Sequence, residues 1–142
     1  MVFKSQICTT FEQSKRLLEL GLNPETADMC FFRSTDEDVE NPYTRLVVDD
    51  YMINTLEDDD NIPAWSLHRL IELCPEYINI DGYADTSYWI KIYKHDNKII
   101  YENDYDRWIY LGDSDNLFDT FIDCIEWLIK EGHFNKEYLK EG

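Results

Sequence analysis

The stretch Ser87–Leu111 reads SYWIKIYKHDNKIIYENDYDRWIYL, and its pattern decides the fold. Apolar and aromatic residues alternate with polar ones, as in half-buried strands, and the runs are rich in the β-branched and aromatic residues that strands favour. His95–Asn97 separates the first two runs with the short polar sequence of a hairpin turn. The pattern predicts an antiparallel meander of three strands: Ser87–Lys94, Lys98–Glu102 and Arg107–Leu111.

Shorter strand signals lie before this meander. Tyr77–Ile80 is a strand candidate that runs into the Asp81-Gly82 turn. Met29–Arg33 and Thr44–Val48 have the same apolar, β-favouring composition over five residues each. Added to the meander, these short strands predict a mostly antiparallel sheet of about four to six strands.

Helix signals occur at both ends and in the centre. Thr9 with Glu12 has the spacing of a capping box, and Gly21 suits a left-handed stop for the helix between them. Pro63 suits the first position of a helix over Ala64–Leu73. Trp65, near the start of that helix, is predicted to be a core residue in preference to an interface residue.

The third helix has the broadest apolar stripe. It follows a cap at Ser114 or Asp113 and ends at Gly132. The stripe consists of Leu117, Phe118, Phe121, Ile122, Ile125, Leu128 and Ile129. The predicted fold class is therefore α+β, with about three helices packed on one face of the sheet.

The domain organisation follows from the length and from the absence of linkers. The chain has 142 residues with no internal repeat and no Gly/Ser linker, so residues 1–142 are predicted to form a single domain. Residues 34–60 hold ten acidic residues and one basic residue, a composition that indicates an acidic, loop-rich segment. Residues 134–142 are expected to be a short, partly frayed tail.

The charge is strongly acidic: 13 Lys and Arg stand against 30 Asp and Glu, for a net charge of −17. Such a surface disfavours direct nucleic-acid binding and adsorption to anionic membranes. Three interpretations stay open, namely simple solubility, a basic protein partner, and mimicry of DNA charge that would inhibit a nucleic-acid-binding protein. The carboxylates for such mimicry would come from Asp36–Glu40, Asp49-Asp50 and Glu57–Asp60.

The sequence predicts no catalytic, cofactor-binding or metal-ligating residue. The glycines lie too far apart for a phosphate-binding loop, and no Cys-x-x-Cys pair occurs. A calcium loop starting at Asp58 would need Gly and Glu where Pro63 and Arg69 stand. A small enzyme using Cys74 and His68, or an acidic pair, stays open as an alternative.

The location is predicted from the cysteines and the N-terminus. Cys8, Cys30, Cys74 and Cys124 are expected to be buried free thiols of a reducing cytoplasm. Met1–Cys8 lacks the features of a targeting segment, and no apolar run is long enough to cross a membrane. The oligomeric state does not follow from the sequence.

Aromatic residues of the meander form the candidate interaction surface. Alternation places Trp89, Lys91 and Tyr93 on one face of their strand and gives Trp108 and Tyr110 a common face on theirs. With helices on the aliphatic face, these four side chains would form an outward platform suited to a protein partner. Packing within the sheet, or a second covered face, is the alternative. The acidic residues assigned to this surface are Glu57, Asp58, Asp59 and Asp60.

Three segments carry a resemblance to a known family. Thr10–Met29 reads TFEQSKRLLELGLNPETADM, Ile62–Leu73 reads IPAWSLHRLIEL, and Asp115–Gly132 reads DNLFDTFIDCIEWLIKEG. Together they resemble a family of small, acidic, uncharacterised proteins from gut anaerobic bacteria, their phages and their integrated mobile elements. The family has no assigned activity, so the resemblance implies no catalytic residue. It implies an intracellular accessory protein of a phage or mobile element. Together with the aromatic platform and the acidic charge, this setting favours a non-enzymatic protein that acts by binding another protein.

Overall fold

The computed structural model describes residues 1, 5–32, 45–47, 61–80 and 86–141. These residues form an α+β fold with antiparallel sheets, which confirms the predicted fold class. The chain divides into two compact units, one of Met1–Leu70 with Glu137–Gly142 and the other of Ile71–Lys136. Among the described helices, none combines the length and apolar character needed to cross a membrane.

In the first unit, helix α1 (Phe11–Glu19) begins one residue later than the sequence predicts. Its N-cap is Thr10, whose hydroxyl accepts from the Gln13 amide, while the Gln13 side chain accepts from the Thr10 amide. Thr9 is instead buried, and its hydroxyl accepts from the Trp65 amide at 3.0 Å. Gly21 follows the helix at φ 101°, the left-handed geometry expected of it.

A three-stranded antiparallel sheet lies in the same unit. Its strands are β1 (Met29–Phe32), β2 (Arg45–Val47) and β3 (Asn61–Ala64), in the order β2-β1-β3. Pro63 lies on β3 and pairs with Cys30 of β1, so the prediction that Pro63 is the first residue of a helix is wrong. Because β3 is an edge strand of this sheet, a residue without an amide hydrogen is tolerated there.

Helix α2 (Leu67–Leu73) begins directly after Ser66, whose side chain caps the helix and is held by a residue from a distant part of the chain. The Ser66 hydroxyl accepts from the Arg69 amide at 3.1 Å. The Asp28 carboxylate in turn accepts from the Ser66 amide at 2.8 Å and from the Ser66 hydroxyl. Trp65 is fully buried, as predicted for a core residue, and its indole donates to the Thr26 hydroxyl.

The C-terminal residues, where the sequence predicts a partly frayed tail, are described to Glu141. They include a 3₁₀ turn at Lys136–Tyr138, of which Glu137 and Tyr138 belong to the first unit. The Tyr138 carbonyl accepts from the Asn23 amide, and the Lys140 amide donates to the Gly21 carbonyl, both at 2.8 Å. Another 3₁₀ turn, Pro24–Thr26, follows α1.

The second unit contains the meander that the sequence predicts. Its four antiparallel strands lie side by side in the order in which they occur along the chain. They are β4 (Tyr77–Asn79), β5 (Ser87–Tyr93), β6 (Lys98–Glu102) and β7 (Trp108–Asp113). The two central hairpin strands, β5 and β6, match the predicted ranges to within one residue.

Helix α3 (Leu117–Lys130) packs on β6 and β7 of this sheet. Its N-cap is Asn116, whose side chain accepts from the Phe118 amide at 2.8 Å, so the expected cap at Ser114 or Asp113 is wrong. Ser114 instead bonds the Thr120 hydroxyl one turn into the helix. The apolar stripe faces the sheet, and its Phe121, Ile122, Ile125 and Leu128 are fully buried.

The inner face of the sheet, which α3 covers, is closed by aromatic packing. Tyr101 is fully buried and donates to the Pro75 carbonyl at 2.7 Å. The Tyr110 ring lies against Trp127 of α3, with ring centroids 4.7 Å apart. Burial raises the pKa of both tyrosines, with further contributions from Cys74, Cys124 and, for Tyr110, nearby carboxylates. Both hydroxyls are therefore neutral at physiological pH.

Gly112 makes room for the Tyr110 side chain, which predicts the effect of an added methyl group. A Cβ at Gly112 would collide with the Tyr110 hydroxyl and lie 2.9 Å from its Cζ. Because Trp127 packs on the same ring, the tyrosine cannot move aside freely, and Gly112→Ala should destabilise the protein by about 1–3 kcal/mol. Urea unfolding checks this value, with Asp113→Ala as the matched exposed control. An unchanged midpoint for Gly112→Ala would contradict the packing described.

Candidate interaction surface

A β-bulge decides which face each aromatic residue of β7 occupies. Tyr110 pairs with Tyr101, whereas Trp108 pairs with Glu102, so Ile109 is an extra residue between the two pairs. A bulge breaks strict alternation because two residues on one strand oppose one on its partner. Trp108 and Tyr110 therefore lie on opposite faces of the sheet. The prediction that Tyr110 belongs to the outward platform is wrong, and Tyr110 packs against α3.

The opposite side of the sheet, called the outer face below, carries the other three predicted aromatics. Strand register gives Trp89 and Trp108 the same face, because both pair with Glu102, and Tyr93 follows Trp89 by four residues. Tyr77 joins them because it pairs with Trp89, and Leu111 because it pairs with Ile100. These five large side chains are between 41% and 57% exposed: Tyr77, Trp89, Tyr93, Trp108 and Leu111.

One row of this face crosses all four strands. Tyr77 on β4, Trp89 on β5, Glu102 on β6 and Trp108 on β7 are successive cross-strand partners. The Tyr77 and Trp89 rings are in contact, with centroids 5.0 Å apart. Glu102 is thus a carboxylate between two tryptophans, and only 17% of its side chain is exposed.

Two lysines of the outer face bind its acidic and aromatic groups. Lys91 Nζ donates to Glu102 Oε1 at 2.6 Å, and that hydrogen bond raises the pKa of Lys91, with a smaller contribution from the Glu102 charge. Lys98 Nζ lies 4.6 Å from the centroid of the Tyr93 ring, within the range of a cation–π contact. The raised pKa keeps Lys91 protonated at neutral pH, so its charge-assisted hydrogen bond to Glu102 is formed there.

The acidic part of the predicted surface belongs to the segment of residues 48–60, which the structure does not describe. Glu57, Asp58, Asp59 and Asp60 lie outside the described residues, as do Asp36–Glu40 and Asp49-Asp50. The roles predicted for these clusters, in steering a partner or in mimicking DNA, stay predictions.

Sequence reasoning missed Tyr77 and Glu102 as members of the outer face. Neither belongs to an aromatic run of the kind that marked Trp89 and Trp108, and both join the row only through cross-strand pairing. Alternation along β5 did place Trp89, Lys91 and Tyr93 together, which the register bears out. The signal for Glu102 would have been its position at the end of the KIIYE strand, opposite Trp89 once the hairpin register is counted.

Three of the four cysteines, Cys8, Cys30 and Cys124, do not have the surroundings of an activated nucleophile. His68 is exposed on α2, and Cys74 is buried just beyond that helix. Cys74 is hydrogen-bonded to Cys124, which raises the pKa of Cys124, and burial adds to the effect. Burial also raises the pKa of Cys8 and of Cys30 to about 11. A catalytic cysteine needs the opposite shift, towards the thiolate.

Comparisons of the whole chain with protein-family models, with curated proteins and with solved structures find no match. Within the described residues, no group of three His, Cys, Asp or Glu side chains is arranged to hold a metal ion. The geometry of the outer face is therefore the main basis for a functional proposal.

The burial of the cysteines predicts slow thiol chemistry. At pH 8, a thiol whose pKa is about 11 is thiolate in only about one molecule per thousand. Native protein should therefore react with Ellman's reagent far more slowly than protein in guanidinium chloride, where all 4 cysteines titrate. One native thiol reacting as fast as free cysteine would contradict this and would favour the enzyme alternative.

Proposed function

We propose that this chain is a non-enzymatic protein-binding module that engages a basic protein partner through the outer face of its four-stranded sheet. The observation that carries the proposal is the set of exposed aromatics on that face, which includes Trp89 and Trp108. Tryptophan and tyrosine dominate the binding energy of protein interfaces because they bury large areas with little loss of side-chain entropy. A sheet face with several such residues exposed is typical of a surface that a partner covers.

The charge of the chain indicates the kind of partner. A net charge of −17 attracts basic proteins over distances set by the ionic strength and repels nucleic acids and anionic membranes. Such attraction speeds the encounter more than it tightens the complex. Association should therefore slow steeply as salt is raised, while the aromatic contacts hold the complex once it has formed.

The resemblance of three segments to small acidic proteins of phages and mobile elements supports the biological setting that we propose. In that setting the chain would be an intracellular accessory protein that modulates a protein of the host or of the element. A DNA mimic that inhibits a nucleic-acid-binding protein would also act by binding a protein, but the carboxylate clusters for such mimicry lie outside the described residues. The outer face therefore supports the protein-binding role better.

The double variant Trp89→Ala/Trp108→Ala tests the proposal. The tagged chain is used to capture proteins from a lysate of the cells that carry it, and each captured protein is then bound in purified form. The variant should lose the specific partner, because it removes two exposed aromatics without opening a cavity in the core. The measurement is the amount of each captured protein, followed by on-rates in low and moderate salt.

The matched control is Ile7→Ala/Ile71→Ala, which removes two exposed apolar side chains that are not part of the four-stranded sheet. It should keep the partner that the tryptophan variant loses. Equal unfolding midpoints in urea would show that both variants are folded. Retention of the same partner by the tryptophan variant would overturn the proposal, and an on-rate independent of salt would overturn its electrostatic part.

A further inference from the structure

We propose that Trp89, Glu102 and Trp108 form a subsite for one arginine side chain of the partner. The inference rests on the proposed function, since it names the chemistry by which the outer face recognises its partner. It starts from the register of the sheet, in which Glu102 on the central strand β6 pairs with Trp89 on one side and with Trp108 on the other.

The spacing of the row suits a single cation. Directly opposed residues have Cβ atoms about 5 Å apart, so the two tryptophans start about 10 Å from one another across Glu102. A cation placed over Glu102 would be within about 6 Å of both indoles, the range over which a ring face attracts it. The carboxylate below would supply the opposite charge.

Two lysines of the chain already make, on this face, the two kinds of contact that the subsite would offer to an arginine: one to a carboxylate and one to an aromatic ring. Lys91 Nζ binds Glu102 Oε1 at 2.6 Å from the diagonal position on β5, and Lys98 lies over the Tyr93 ring. Both contacts show that the face attracts cations to its carboxylate and to its rings. Lys91 holds the Glu102 carboxylate as an internal competitor, and its flexible, 46% exposed side chain can move away from it.

Arginine fits better than lysine for two physical reasons. A guanidinium is planar and presents paired donors that match both oxygens of a carboxylate, whereas Lys91 binds through one point contact. It is also weakly hydrated and stacks on aromatic rings, so two flanking indoles favour it over an ammonium. The subsite would therefore exchange the internal Lys91 contact for an arginine of the partner.

The test is a titration of the full chain, labelled with ¹⁵N, with N-acetyl-arginine amide, observed at the indole N–H signals of the four tryptophans. Trp89 and Trp108 should shift together and saturably, while the fully buried Trp65 should not move. N-acetyl-citrulline amide has nearly the same shape without the charge and should produce much smaller shifts. Equal shifts with citrulline, or no shift at Trp89 and Trp108, would overturn the inference.

Variants of the charged residues sharpen the result. Glu102→Gln should weaken arginine binding roughly tenfold, because the charge-assisted pair is lost. Lys91→Gln should strengthen it, because the internal competitor is removed. Lys94→Gln, the matched charge change one residue beyond the end of β5, should affect it much less. If Lys91→Gln and Lys94→Gln changed the affinity for arginine equally, the change would reflect overall charge alone, and the proposed subsite would be wrong.

Failure of this inference is distinct from failure of the proposed function. If arginine does not bind while Trp89→Ala/Trp108→Ala still loses its partner, the outer face is an interface without this subsite. If arginine binds as expected but the tryptophan variant keeps its partner, the subsite exists and the proposed interface is wrong.

Discussion

The extra residue Ile109 in β7 is the constraint on which both faces of the four-stranded sheet depend. Without the bulge, Trp108 and Tyr110 would share a face, as strict alternation demands. With it, Tyr110 packs against Trp127 in the core while Trp108 stands opposite Glu102 on the outer face. One irregularity thus completes the inner aromatic packing and the outer row at the same time. Gly112 completes the arrangement by leaving space for the Tyr110 ring.

The parts of the fold that the sequence predicts are those specified by local periodicity. The alternation of SYWIKIY and KIIYE identified β5 and β6, and the apolar stripe identified α3, because each pattern lies within one element. Pro63 shows where this reasoning fails. Its local context suits a helix start, but Pro63 pairs with Cys30 in a strand. Helix α2 starts only at Leu67, after Ser66, which is held in its capping position by Asp28. Those partners are more than thirty residues distant and leave no local signal.

The candidate site divides in the same way. Trp89, Lys91 and Tyr93 are visible from alternation along one strand, whereas Glu102 and Tyr77 join them only through the register between strands. Tyr110 was assigned to the wrong face because a bulge has no reliable sequence signature. The acidic clusters of residues 34–60 were identified by composition alone, and composition does not specify a position on a surface.

The most direct test of the account is the solvent exposure of each tryptophan in the full chain. The protein labelled with 5-fluorotryptophan gives one ¹⁹F signal for each of its 4 tryptophans, and a soluble nitroxide broadens those that solvent reaches. Strong broadening is expected at the exposed Trp89 and Trp108, and little at the buried Trp65. Protection of Trp89 and Trp108 to the level of Trp65 would mean that the outer face is already covered, and it would contradict the proposed binding surface.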